Sequence, residues 1–132
     1  EMLFPDRVIV LETARSSAQT SEEFKYAERA FRMLLDLVTT YYESLLDQNG
    51  DTVAKKTFGK SYAASEGETA EKNRRSRRLR TFTYKGQPIE MFKHLKIGVK
   101  DSRADTLRVH FHWDSADEVI VIGHCGPHLD QK

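Results

Sequence analysis

Three histidines, a lysine and an arginine fall on one parity of two strand-like stretches near the C-terminal end of this chain. In residues 107–114, Leu107, Val109, Phe111 and Trp113 alternate with Arg108, His110, His112 and Asp114. Successive side chains of a strand point to opposite faces, so this segment is a half-buried strand with one apolar and one polar side. Residues 89–99 repeat the pattern, with Ile89, Met91, Leu95, Ile97 and Val99 on one parity and Glu90, His94 and Lys96 on the other. Phe92 and Lys93 interrupt it. With both apolar sides packed under a helix, His94, Lys96, Arg108, His110 and His112 gather on the opposite, open face. Imidazoles and fixed cations crowded together call for an anionic partner. Cations hold phosphate, and imidazoles titrating near neutrality move protons.

Metal binding is the rival chemistry. His110 and His112 lie two apart on a strand, and His124-Cys125-Gly126-Pro127-His128 offers a second pair; such side chains suit zinc. Lys96 and Arg108 would repel a cation, and no recognised ligand spacing is present, so neither a metal nor another cofactor is expected. Cys125, alone at a strand end, reads as a small buried hydrophobe.

A second charged element precedes the sheet. Residues 72–80 carry Lys72, Arg74, Arg75, Arg77, Arg78 and Arg80 and no acid, on a chain whose net charge is only +1. Such a block binds nucleic-acid phosphates by counterion release, or is simply a solvated charge run. Phe58-Gly59-Lys60-Ser61 has the ending of a phosphate-binding loop, but Ala54 stands where its first glycine belongs and no strand leads into it, so no nucleotide site is expected.

Several elements must position these groups. The β-branched run in 7–13 predicts a buried first strand. Thr20-Ser21-Glu22-Glu23 has the form of a capping box. Phe24, Ala27, Phe31, Leu34, Leu35, Val38, Tyr41, Tyr42 and Leu45 then mark one apolar helical stripe, ending near Asn49-Gly50 and breakable at Val38-Thr39-Thr40 into a helix pair. Residues 51–80, poor in large apolar side chains, read as a mobile charged insertion. A hairpin is expected around Lys85-Gly86, its second arm running on to Val99, followed by strands over 107–114 and 118–124. The architecture is then a single α+β domain: an N-terminal strand and a long helix, or helix pair, packed on a C-terminal antiparallel sheet. At 132 residues there is no room for two cores. Cys125 is the only cysteine, so no disulfide forms within the chain. No apolar run approaches the ~20 residues of a membrane span, and no leader pattern is seen, so a cytoplasmic protein off the membrane is expected.

This order of elements resembles the RelE/ParE toxin superfamily over residues 7–48 and 89–128. His94-Leu95-Lys96-Ile97-Gly98 stands where that family often has an acidic-Leu-Arg-Ile run. Leu107-Arg108-Val109-His110-Phe111 looks like its following strand, and Val119-Ile120-Val121-Ile122-Gly123-His124 is similar to its last. The resemblance implies an endoribonuclease that cleaves mRNA, on the ribosome in some members, by promoting 2′-hydroxyl attack on the adjacent phosphate. Lys96 and Arg108 would then stabilise the phosphorane, and His124 or His128 would be the terminal acid or base. His94 would serve as base, and His110 is a further candidate on the same face. RNA and a neutralising antitoxin are the partners the resemblance implies; the residues themselves add His112 and, from the basic block outside the resemblance, Arg74, Arg75, Arg77, Arg78 and Arg80 as expected nucleic-acid contacts. A non-catalytic binding module, as in ParE-like members, and a metal-dependent hydrolase are the alternatives.

Overall fold

The computed structural model describes residues 6–19, 27–48, 50–63, 71–97, 107–126 and 129. The capping-box residues Thr20–Glu23, Phe24, Asn49 and His128 lie outside them. Among the described residues the chain is a mixed α+β fold. β1 (Val8–Val10) leads into α1 (Glu12–Gln19), then α2 (Ala27–Asp36), a π-helical turn (Leu37–Tyr41) and α3 (Tyr42–Leu46). α4 (Gly50–Phe58) follows, with a 3-10 turn into β2 (Tyr62–Ala63). After α5 (Arg74–Leu79) come β3 (Thr81–Tyr84), β4 (Gln87–Glu90), β5 (His94–Ile97), β6 (Leu107–Asp114) and β7 (Val119–Gly126).

The main sheet has the order β1-β7-β6-β5-β2. It is mixed rather than purely antiparallel, because β1 pairs parallel with β7, Val8 opposite Ile120. Where β1 ends, α1 takes over the margin of β7: Thr13 Oγ1 donates to the Gly123 carbonyl at 2.6 Å, and Ser17 Oγ accepts from the Cys125 amide at 2.9 Å. Gly126 permits this approach, since a Cβ there would lie 2.8 Å from the Ser17 carbonyl oxygen.

The long helix changes its winding at the β-branched stretch Val38-Thr39-Thr40, which falls inside the π-helical turn. A widened turn loosens the regular backbone ladder, and side chains take up the carbonyls: Arg7 Nη1 donates to Val38 O at 2.9 Å, Thr39 Oγ1 to Leu35 O at 2.7 Å and Ser44 Oγ to Tyr41 O at 2.6 Å. The buried side of the helix runs through Ala30, Leu37, Val38, Tyr41 and Tyr42, with Met33 and Leu34 partly covered. Phe31 and Leu35, placed on the apolar stripe by spacing, are instead 58% and 37% exposed. Below the helices, Leu95, Ile97, Leu107, Val109, Phe111, Ile120 and Ile122 form the sheet side of the main core. Tyr41 meets Phe111 and Phe58 edge-on, at centroid distances of 5.6 and 6.0 Å.

In the described parts of the 51–80 segment, Ala54, Phe58 and Tyr62 enter the main core, and β2 pairs with β5. Burial of three well-spaced apolar residues was enough to dock a segment whose average composition is polar. One expectation is corrected here: the 89–99 stretch is not one arm. β4 pairs only with β3, in a separate two-stranded sheet, and the chain crosses at Met91–Lys93 before β5 joins the main sheet. The hairpin turn is at Lys85-Gly86, where φ is +53° and +75°. Two successive left-handed residues give the twist that a two-residue hairpin loop needs.

Candidate functional site

Parity places the polar groups as the alternation requires. His94 stands opposite His110, and Lys96 opposite Arg108, across β5 and β6. Across β6 and β7, His110 is opposite His124. That last pairing depends on a bulge. Register slips between His110 and Phe111, so that Phe111 faces Ile122 and Gly123 is the surplus residue of β7. Val119 and Val121 lie on the same side as the histidines, and unbroken alternation would send His124 to the other. The extra residue re-aims it.

The imidazoles form a row. The His94 and His110 rings stack at 4.7 Å with 25° between their planes, and His110 meets His124 edge-on at 5.8 Å. A backbone carbonyl can only accept, so His94 Nδ1 donates to Phe92 O and His110 Nδ1 to Met91 O, each at 2.9 Å. This leaves Nε2 as the atom that takes a second proton. Burial pushes the His110 pKa well below 6.5, and the neighbouring His94, His124 and Arg80 lower it further against the opposing bond to Met91. His112, half-buried, is lowered chiefly by burial, with Asp114 opposing and Lys93 assisting. Arg108 Nη1 donates to Ile97 O at 3.2 Å and Leu107 O at 3.1 Å.

The face that carries them is not open. His94, His124 and Arg108 are each 7% exposed and His110 is 1% exposed; Lys96 and His112 are half-buried. The β3–β4 hairpin lies over one end of this face, where Met91, Val119 and Val121 form a small core with Ile9, Leu11, Phe82, Tyr84 and Ile89. Arg80, following α5, is close enough to His110 to lower its pKa, and its carbonyl accepts from the Met91 amide at 2.8 Å. The expectation of a solvent-facing catalytic surface at His94, Arg108, His110 and His124 is corrected on this point: they share a side of the sheet, but a second layer covers it. His128 lies outside the described residues.

The basic block divides. Asn73 caps α5, its Oδ1 accepting from Ser76 N at 2.9 Å. Arg74, Arg75, Arg77 and Arg78 are exposed, and Arg77 Nε donates to Glu90 Oε2 at 2.7 Å. Arg80, grouped with them as a nucleic-acid contact, is 1% exposed. Its Nη1 donates to Ser76 O and Oγ at 3.0 and 2.7 Å, and its Nη2 to Leu129 O at 3.0 Å. It is an internal anchor. Composition alone gives no signal for this difference; the helical spacing of Ser76 and Arg80, four residues apart, is the only hint.

A further cluster went unread in the sequence. Tyr84 Oη donates to Asp114 Oδ2 at 2.7 Å, Lys85 Nζ pairs with the same oxygen at 3.0 Å, and Lys85 also pairs with Asp117. Asp114 Oδ1 accepts from the Ala116 and Asp117 amides at 3.0 and 3.1 Å. The hairpin turn is thereby tied to the β6–β7 turn. Cys125 is mostly buried, and that burial pushes its thiol up to about 11, which removes it as a nucleophile at neutral pH. Among the described residues, no group of three or more His, Cys, Asp or Glu has a metal-holding arrangement, and no helix is long and apolar enough to cross a membrane. Comparison with family models, with curated proteins and with solved structures finds no match.

Proposed function

We propose that this chain binds RNA through the exposed arginines of α5. The observation that carries the reading is the division of the basic block: Arg74, Arg75, Arg77 and Arg78 face solvent while Ser76 and Arg80 fix the helix from beneath. Guanidinium groups on a docked helix lose less freedom on contacting phosphate than the same groups on a loose tail. Each phosphate contact to a single strand adds about 0.7 to the slope of log affinity against log salt. In a polarisation assay with labelled single-stranded RNA, the Arg74→Ala/Arg78→Ala pair should lower that slope by about 1.4 and weaken binding roughly tenfold at low salt. An unchanged slope and affinity would reject the reading.

A second reading is favoured by the row on the sheet: a RelE-like, toxin-type endoribonuclease acting in the cytoplasm and held in check by an antitoxin. His94, Lys96, Arg108, His110 and His124 share one side of neighbouring strands. There Lys96 and Arg108 would neutralise a pentavalent phosphorane and the imidazoles would carry protons to and from the 2′- and 5′-oxygens. The covering layer must move before RNA can reach them. Arg108→Ala and His124→Ala should each abolish RNA cleavage, or growth inhibition on expression, with circular dichroism unchanged; full activity in both would dispose of this reading.

A further inference from the structure

The β3–β4 hairpin is a sheet of its own, so each of its strands has an outer edge. The register decides which backbone groups face outward there. The Met91 amide donates to Arg80 O at 2.8 Å, which makes Arg80 and Met91 a hydrogen-bonded pair. Bonded and non-bonded pairs alternate along an antiparallel ladder. Phe82–Ile89 and Tyr84–Gln87 are therefore bonded pairs, whereas Thr81–Glu90 and Thr83–Pro88 turn their amides and carbonyls away from each other. Pro88 fits this phase, since the N–H it lacks would have faced outward.

The edges are defended unequally. On the outer edge of β4, Pro88 removes a donor. In the main sheet the outermost strands, β1 and β2, are three and two residues long. β3 has four residues, no proline and an unbroken register. Thr83 is exposed, and among the described residues nothing pairs with its outward amide and carbonyl. Phe82 and Tyr84 join the small apolar cluster on the main-sheet side of the hairpin, which leaves Thr81 and Thr83 on its outer side.

The two ends of this edge differ in charge. At the turn, Lys85 is engaged with Asp114 and Asp117. At the start, α5 ends two residues before Thr81. Its Arg77 is taken by Glu90, but Arg74 and Arg78 are exposed and, among the described residues, hold no hydrogen bond or ion pair.

We propose that β3 is a docking edge for an extended segment of another protein, which adds to it as an antiparallel strand and carries carboxylates at its C-terminal end. Antiparallel addition puts the residues opposite Thr81 and Thr83 on the outer side and their neighbours toward the main sheet, so the segment alternates polar and apolar side chains. Its C-terminal end then lies beside α5, where carboxylates meet Arg74 and Arg78. The pairing uses the backbone of β3 and stands whether or not α5 binds RNA.

The probe is a capped peptide, Thr-Val-Thr-Val-Thr-Glu-Glu-Glu, added without RNA to the intact, isotope-labelled chain and followed by amide-resolved NMR. In the absence of peptide the Thr83 amide should exchange with solvent faster than those of Phe82 and Tyr84. At about 1 mM peptide its exchange should slow by about tenfold. N-methylation of the peptide threonines removes the donors that face β3 and should abolish this, whereas N-methylation of the valines should leave it. Lysines in place of the glutamates should weaken binding about tenfold at low salt. Thr83→Pro repeats on β3 the device that Pro88 supplies on β4, and should abolish binding with the other amide signals retained. An unchanged Thr83 amide, equal loss with both methylated peptides, or equal affinity for the lysine peptide overturns the proposal. So does a dimer of the chain alone joined through β3, which would make a second copy the occupant. If Thr83→Pro does not fold, the two methylated peptides decide by themselves.

Discussion

Gly123 lies so close beneath Phe82 that a Cβ on it would stand 2.7 Å from Phe82 Cδ2, with Met91 Sδ at 2.8 Å. The bulge residue of β7 is thus also the seat of the hairpin. Gly123→Ala should displace the Phe82 and Met91 side chains and cost about 1–3 kcal/mol, measured by urea unfolding. The same variant should weaken protection in 81–91 more than in 107–114. A neutral substitution would mean that the hairpin does not rest on this residue.

Stability should fall on mild acidification. The folded state holds His110 and His112 below the ordinary imidazole value of 6.5, so the unfolded chain binds more protons once pH drops under that value. The stabilising contribution is therefore complete above pH 6.5 and is lost as pH falls toward the folded-state pKa. Melting temperature should be level from about pH 8 to 7 and decline below about 6.5, less steeply in His110→Gln. A melting temperature that rises as pH falls from 7 to about 5.5 would contradict the assignment.

Tyr84 reports on the link between the two turns. Burial first, and then the hydrogen bond and charge of Asp114, raise its pKa from 10.0 to about 12. Asp114→Asn removes the second and third causes and leaves the first. The Tyr84 transition, isolated by subtracting an ultraviolet titration of Tyr84→Phe, should move to a value between those limits. No movement would mean that the Tyr84–Asp114 bond is absent in solution.

Glu90 should restrain RNA binding if α5 is the contact surface. Its carboxylate holds Arg77 Nε at 2.7 Å on the exposed side of the helix. Glu90→Gln frees that guanidinium and removes a negative charge, which should tighten single-stranded RNA binding about two- to fivefold at low salt and have little effect at high salt. Weaker binding in Glu90→Gln would argue that Arg77 must be oriented by its partner.

The alternation of Leu107–Asp114 was the most legible feature, because a period of two leaves little freedom in which side chains share a face. It foretold that His94, Lys96, Arg108 and His110 would align, and they do. It could not place His124, whose side is set by one surplus residue at Gly123. Nor could it show that the face would be covered. The interruption at Phe92 and Lys93 was visible as a broken pattern, yet the same break suits a kinked strand or a crossing between sheets, and only tertiary packing chooses. The docking of α4 and the burial of Arg80 depend on single residues, Ala54, Phe58 and Ser76, within a stretch whose average polarity points the other way. The π-helical turn fell where β-branched residues cluster, but their spacing carries no mark of a widened turn.

The two outermost strands of the main sheet are only two and three residues long, and beyond β1 the hydroxyls of Thr13 and Ser17 occupy the margin of β7. At the described margins of this sheet a stray extended chain therefore finds little backbone to recruit it, which is one of the ways natural sheets escape fibril growth. Should the layer over the imidazoles swing away, the molecule would display basic side chains to its surroundings without offering those brief outer strands as a template for runaway assembly.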